Sequence, residues 1–312
     1  MMIIPSCKPS EPCAFPVQPT CQATWVGRGL CPIRHSCYSR PWGHMSLPRI
    51  RTVARNSHAN PRVYLRQFAN EGRLCVYDRQ DKEFRRQSVS TTGIAKDMYI
   101  LSLPNGGKSD VIERWFGRHV EAPMAPVFKK LWGCEILTAS EISSIFSFVA
   151  IQKVRVPAQR EAQRGHVKNV LRATDKDVPN LFLQSLVRLA PQIAEQLIEL
   201  NVCLQIAPLG YSYITSDNPF VVMREREDRW FPEPLPEFSR VNILSQKGAK
   251  GFMPLTPKVC LFAEGKGRYR GYTDDNVPNV NSINRWVAFQ SQRFLYAAGE
   301  RDLRQVVWVL DH

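Results

Sequence analysis

The sequence predicts an α+β fold, with a helical middle section packed with an antiparallel sheet built from an N-terminal hairpin and C-terminal strands. Three observations predict it. RLCVYD and EFRRQSV, each with β-branched or aromatic residues, flank the polar turn RQDK and read as a β-hairpin. From Ser109 to Trp132 apolar residues recur at three- and four-residue steps, the period of core-facing helices, and two further helical stretches follow, one from Thr138 and one through NLFLQSLVRLAPQIAEQLIEL. After residue 200 the pattern changes to short strand-like runs separated by turn residues. The order hairpin, helices, strands, helix argues against a doubly wound fold.

Taken in order, the first 44 residues differ in composition from everything after them. They carry five of the nine cysteines, seven of the 23 prolines and one acid, Glu11. The cysteine spacing shows no CxxC or HxxxH pair, which disfavours zinc, and no apolar h-region marks a secretory signal. Frequent prolines would break the amphipathic helix of a mitochondrial transit peptide. The segment is expected to be a disordered tail or a spurious extension ahead of Met45. Residues 45–56 form a basic linker, and residues 57–309 form one globular domain. Residues 45–96 hold 11 basic and 4 acidic side chains, the most basic stretch of the chain.

A short helix starts after Pro61 with Val63, Tyr64, Leu65 and Phe68, and the hairpin follows. From Ser109 to Trp132, the residues Ile112, Trp115, Phe116, Val120, Met124, Val127, Phe128 and Leu131 mark one helical face that Pro123 and Pro126 should bend or break. Thr138 and Glu141 form a capping box, so a helix begins there and buries Ile142, Ile145, Phe146 and Val149. A third helix runs through NLFLQSLVRLAPQIAEQLIEL, with Pro191 expected to kink it. VCLQIA, YSYITS, FVVM and KVCLFAE read as strands, and residues 224–240 as a surface excursion. The last helix presents Val280, Ile283, Val287, Ser291 and Phe294 on one face, followed by an apolar end.

The formal charge of +14 and pI near 9.6 favour anionic partners, RNA or DNA first and acidic lipid headgroups second. No run of 18 or more apolar residues exists, so no segment is long enough to span a bilayer as an apolar helix. Cys75, Cys134, Cys203 and Cys260 stand singly in apolar or strand-like contexts and read as reduced, buried thiols of a cytoplasmic protein.

SLPNGGKS, residues 102–109, resembles a phosphate-cradling loop only in Gly107, Lys108 and Ser109, because Ser102 stands at the first glycine position. Asn105-Gly106-Gly107 is equally natural as a turn, with Ser109 capping the next helix. No GxSxG is present, and outside the first 44 residues the only histidines are His58, His119, His166 and His312. His119 lies on an amphipathic helix and reads as a surface residue. His58 precedes Pro61 beside Arg62 and Arg66, where a bound phosphate would meet an imidazole and a guanidinium. The other reading is that His58 fixes the start of the domain. Phe148, Gln152, Arg155 and Gln159 fall on one helical line, so an apolar row turns polar near Pro157. Such a row is a structural network or one wall of a polar pocket. In TSDNPF, Asp217 ends a strand, where it makes a turn, acts as a general base or holds a metal.

These segments occur in one order: HANPRVYLRQF, RLCVYD, QKVRVPAQR, TSDNPF, FMPLTP and VNSINRWVAFQSQRFLYA. The set resembles the domain-of-unknown-function 4238 family, with its His-x-x-Pro-x-x-Tyr-Leu, Arg-x-Pro-x-x-Arg, Ser-Asp-x-Pro and Pro-Leu-x-Pro patterns. The resemblance covers residues 57–298. It marks His58, Pro61, Tyr64, Leu65, Arg155, Pro157, Arg160, Ser216, Asp217, Pro219, Pro254, Leu255 and Pro257. It implies no activity, and it omits Lys108.

The expected site is therefore one where His58, Arg155, Arg160 and Asp217 converge on a phosphodiester or another anion. In an enzyme, a phosphodiesterase or nuclease, His58 transfers a proton, the arginines stabilise phosphate charge, and Asp217 orients His58 or holds a metal. The alternatives are a non-catalytic nucleic-acid-binding module using residues 45–96, and a structural protein with a buried polar network. No residue pattern names a cofactor.

Overall fold

The computed structural model describes residues 56–103, 106–157, 159–161, 178–226, 229–232, 248–275 and 278–310. The tail, nearly all of the linker, His166 and His312 lie outside the described residues. Strand β1 (Asn56–His58) brings the chain in, and Pro61, with φ fixed near −55°, starts helix α1 (Arg62–Leu65), which tightens into a 3₁₀ turn at Arg66–Phe68. Strands β2 (Arg73–Asp78) and β3 (Glu83–Ser88) then form the hairpin where RQDK turns. β4 (Ile94–Lys96) returns to pair with β1, with His58 opposite Ile94.

The glycine-rich loop joins β5 (Leu101–Ser102) and β6 (Lys108–Ser109), a tight antiparallel pair. Lys108 leans toward Asp97 at 4.0 Å, and Ser109 Oγ accepts the Val111 amide. Those are the interactions of a turn and a helix start, so the cradle reading has no support here. α2 (Val111–Phe116) and α3 (Ala122–Gly133) are joined without a break by a wider π-helical turn over Gly117–Glu121. The turn sits just ahead of Pro123 and Pro126, which lack the amides that ordinary helical bonding needs. α3 ends on Cys134 in the left-handed region, at φ 51°.

The capping box forms as expected: Thr138 Oγ1 accepts the Glu141 amide, and the Glu141 carboxylate accepts the Thr138 amide at 2.8 Å. Behind it α4 (Ala139–Val154) is buried from Ile145 to its end. α5 (Val178–Ile198) runs through Pro191. The strands that follow are β7 (Leu200–Ile206), β8 (Thr215–Ser216), β9 (Val221–Arg226), β10 (Arg229–Pro232), β11 (Ala249–Pro254), β12 (Val259–Lys266) and β13 (Tyr269–Thr273). YSYITS holds only the two strand residues of β8, and the expected excursion begins with a β9–β10 hairpin. α6 (Val280–Gln290), β14 (Phe294–Ala297) and α7 (Glu300–Leu310) close the chain.

The strands assemble into two main sheets where one was expected. The hairpin joins the chain's last strand in a four-stranded antiparallel sheet of order β3-β2-β14-β8. The later strands make a six-stranded sheet of order β10-β9-β11-β12-β7-β13, antiparallel except that β13 runs parallel to β7 at the edge. Alternation along each strand divides the interior in two. Val202 and Leu204 of β7, with Leu74 and Val76 of β2, face the core shared with α1 to α5. Cys203, Cys75 and Tyr77 face a second core under α6 and α7. The α+β class is therefore correct, with the central strands of both sheets buried on two faces and the edge strands β3 and β13 partly exposed.

Candidate polar site

Pairing of β1 with β4 holds the HANP segment against the turn at Thr92 and Gly93. Gly93 adopts φ +68°, open to glycine, and its carbonyl accepts the Ala59 amide at 2.9 Å. The same turn puts the Thr92 carbonyl 3.1 Å from His58 Nδ1. A carbonyl only accepts, so Nδ1 carries the proton and Nε2 is the basic nitrogen. Nε2 has no hydrogen-bond partner among the described residues. Half-burial of the ring lowers the His58 pKa, and nearby Arg62 acts in the same direction against the Thr92 bond. The imidazole is therefore neutral near pH 7.

Arg155 arrives from the C-terminal end of α4 and is fully buried. Its Nη2 donates to the His58 carbonyl at 2.7 Å, Nη1 to Glu121 at 2.9 Å and Nε to the Tyr99 hydroxyl at 3.1 Å. Tyr99 in turn donates to the Arg155 carbonyl at 2.9 Å. The Tyr99 and Phe116 rings each lie 5.0 Å from the guanidinium carbon. Burial opposes this charge, but Tyr99, Glu121 and Glu113 outweigh it and hold the Arg155 pKa above its ordinary value. Glu113 lies beside them. Burial raises its carboxyl pKa, against the pull of Arg155, and its Oε2 has no hydrogen-bond partner among the described residues.

Asp217 has a different neighbourhood. Its Oδ1 accepts the Gln292 amide at 2.9 Å, and its Oδ2 accepts those of Arg293 at 2.7 Å and Phe294 at 3.0 Å. Burial raises its pKa against these three donors. With both oxygens engaged, the carboxylate clamps the start of β14. Asp78 grips the same segment from the hairpin: its carboxylate accepts from Arg293 at 2.8–3.0 Å and from Arg85 at 2.8 Å. Burial works against ionisation of Asp78, yet the Arg293 bonds and two backbone amides bring its pKa down to about 2. Arg79 completes the grip by donating to the Ala288 and Ser291 carbonyls.

The structure thus brings His58 and Arg155 into contact through the His58 backbone, and sends the Asp217 carboxylate elsewhere. Arg160, half-buried one turn beyond Arg155, bonds through its amide to the Val156 carbonyl at 3.2 Å. The family-like segments still meet. Asn60 Nδ2 donates to the Ser216 carbonyl at 2.6 Å. Tyr64 donates its hydroxyl to the Pro254 carbonyl at 2.7 Å, so the Thr215 hydroxyl, 2.6 Å away, donates to Tyr64. The polar row of α4 is buried as a set, with Gln152 at 0% and Gln159 at 4% exposure. Ser57 Oγ, Asn60 Oδ1, both ends of the Gln152 amide and Gln159 Oε1 are buried without partners among the described residues. Such groups in native interiors take up water or ligand.

Sequence reasoning did not single out Tyr99, Thr92, Glu113, Glu121 or Lys153. Lys153 is buried with its ammonium 5.6 Å from the Phe220 ring centre, and burial lowers its pKa to about 8. A lysine inside the apolar run FVAIQKV was the available signal. Among the described residues no group of three or more His, Cys, Asp or Glu side chains is placed to hold a metal. A separate cleft of about 260 Å³ on the six-stranded sheet is lined by Cys203, Phe262, Glu264, Arg270, Thr273 and Asp275. Burial raises the Cys203 thiol to about 11, so it is no nucleophile at neutral pH. No helix among the described residues is long and apolar enough to cross a membrane.

No curated protein and no solved structure matches the chain. A family model described as "Protein of unknown function (DUF4238)" matches residues 56–301, a span that contains every segment meeting around Tyr64 and Arg155. The chain belongs to this family.

Proposed function

We propose that the chain carries a phosphate-directed site at His58 and acts on or binds nucleic acid, with phosphodiester cleavage as its enzymatic form. The observation that supports this reading is the state of His58: a half-buried, neutral imidazole, oriented through Nδ1 by Thr92, with Nε2 as its base. Arg62, exposed one turn on, is the guanidinium available to a phosphate. Arg155 is a positioning residue, because it reaches His58 only through the backbone carbonyl. Asp217 is structural in this scheme.

RNA and DNA cleavage by the full chain, with and without magnesium, tests the reading against His58→Ala. Loss of cleavage on substitution is expected, and equal activity in both proteins overturns the catalytic form. A second reading, a binding module without turnover, is favoured by the exposed bases Arg62, Arg66, Arg73, Lys82, Arg86 and Lys96 in the first part of the domain. It requires affinity that falls steeply with salt in both proteins.

A further inference from the structure

Four large apolar side chains remain in solvent where β7 ends and β12 begins. Leu209, in the turn after β7, is fully exposed, and Ile136, between α3 and α4, is 90% exposed. Trp132 and Tyr211 are exposed by 44% and 53%. Hydrogen bonds tie their segments together through Lys258. Its ammonium donates to the Trp132 carbonyl at 3.3 Å, and its carbonyl accepts the Ala207 amide at 2.8 Å. The Pro257 carbonyl accepts the Tyr213 amide at 2.9 Å. On the other side, the Trp132 indole donates to Gln67 at 2.9 Å, which brings the Arg66–Phe68 turn alongside.

The charges around these residues are mostly positive. Arg66 and Lys129 are exposed and Lys258 is half-buried, while Lys130 and Glu141 neutralise each other at 2.8 Å. Glu135 is the one acid left beside them in the α3–α4 loop. Single exposed apolar residues are ordinary on protein surfaces, but here four stand on two segments that hydrogen bonds join at Pro257 and Lys258. Two are the amphipathic aromatics that favour the water–lipid boundary, and the basic residues beside them match anionic headgroups.

We propose that this end of the domain docks peripherally on an anionic lipid bilayer. Leu209 and Ile136 insert, Trp132 and Tyr211 lie at headgroup level, and Arg66, Lys129 and Lys258 meet the headgroup charges. Apolar side chains reaching out from separate turns suit insertion between lipids better than the seating of a peptide. The docking is independent of any chemistry at His58.

Co-sedimentation of the full chain with vesicles of phosphatidylcholine alone, and of phosphatidylcholine mixed with phosphatidylserine, tests the proposal. Binding at least about tenfold tighter to the mixed vesicles is expected, given three basic residues near the surface. It should weaken with added salt. The double change Leu209→Asp and Ile136→Asp is expected to reduce binding by about tenfold or more, with melting temperature unchanged. Ile94→Asp, an exposed apolar position on β4, should leave binding intact. Absence of binding to mixed vesicles overturns the proposal, as does binding that the double change leaves untouched. Self-association abolished by the double change, without vesicle binding, would assign the surface to a second copy of the chain.

Discussion

Arg155 is the largest fully buried side chain among the described residues, and each of its three guanidinium nitrogens has a named acceptor. Removing it leaves Glu121 and the His58 carbonyl without their donors and opens a void between Tyr99 and Phe116. Arg155→Ala is expected to cost about 3–5 kcal/mol in denaturant unfolding, and Arg155→Lys should recover little, because an ammonium cannot span three acceptors. A cost under about 1 kcal/mol would contradict the network. Lys153 behaves oppositely. Its pKa is about 8 in the folded protein against 10.5 ordinarily, so between these values the unfolded chain holds more protons and stability rises with pH. Below about pH 8 the buried charge is a standing penalty of roughly 3 kcal/mol. Lys153→Met is therefore expected to stabilise the protein at pH 7 and to flatten the rise between pH 8 and 10.5, as read from unfolding curves across that range. The polar row Gln152, Arg155 and Gln159 was legible in the sequence because helical spacing set it on one line with Phe148. Glu113 and Glu121 were not legible, since acids on an amphipathic helix read as solvated until the packing of Arg155 brings them inward.

At the scale of elements, the capping box and the hairpin were legible because both are local: three residues separate Thr138 from Glu141, and RQDK separates β2 from β3. Thr138→Ala should cost about 1 kcal/mol, measured by thermal unfolding, through loss of the Glu141 amide's acceptor. β14 was missed because Phe294 continues the apolar period of α6, which in fact ends at Gln290; two other strands are hidden by their composition. β11 contains Gly251 and ends at Pro254, and β13 is a polar edge strand with Gly271 at φ +88°. The segment between α6 and β14 is held from two directions, by Asp217 and by Asp78, at sequence separations that no spacing rule reaches. Asp78 contributes stability that is present above its ordinary pKa of 3.8 and is lost as pH falls toward 2. Asp78→Asn is expected to weaken the protein at pH 6 and to leave a shallower acid limb, as followed by circular dichroism during acid titration.

For the whole molecule, the order of pairing has one consequence that the linear pattern conceals: β14, near the chain's end, pairs with β2 of the first hairpin, Leu295 opposite Tyr77. The first and last parts of the domain therefore fold together. Truncation before β14 should strip β2 of one partner and open the second core, so that proteolysis cuts the hairpin as readily as the C-terminal strands; protection of the hairpin in the truncated chain would show that it folds alone. Around His58, β1, the Thr92 turn and α4 are held by the β1–β4 pairing and by the Thr92 and Arg155 bonds. Titration of the His58 imidazole by heteronuclear NMR in the full chain measures the outcome most directly. A pKa below 6.5 with the proton of the neutral ring on Nδ1 is expected from burial and the Thr92 bond. A pKa at or above 6.5, or a proton on Nε2, would contradict the orientation on which the proposed chemistry depends.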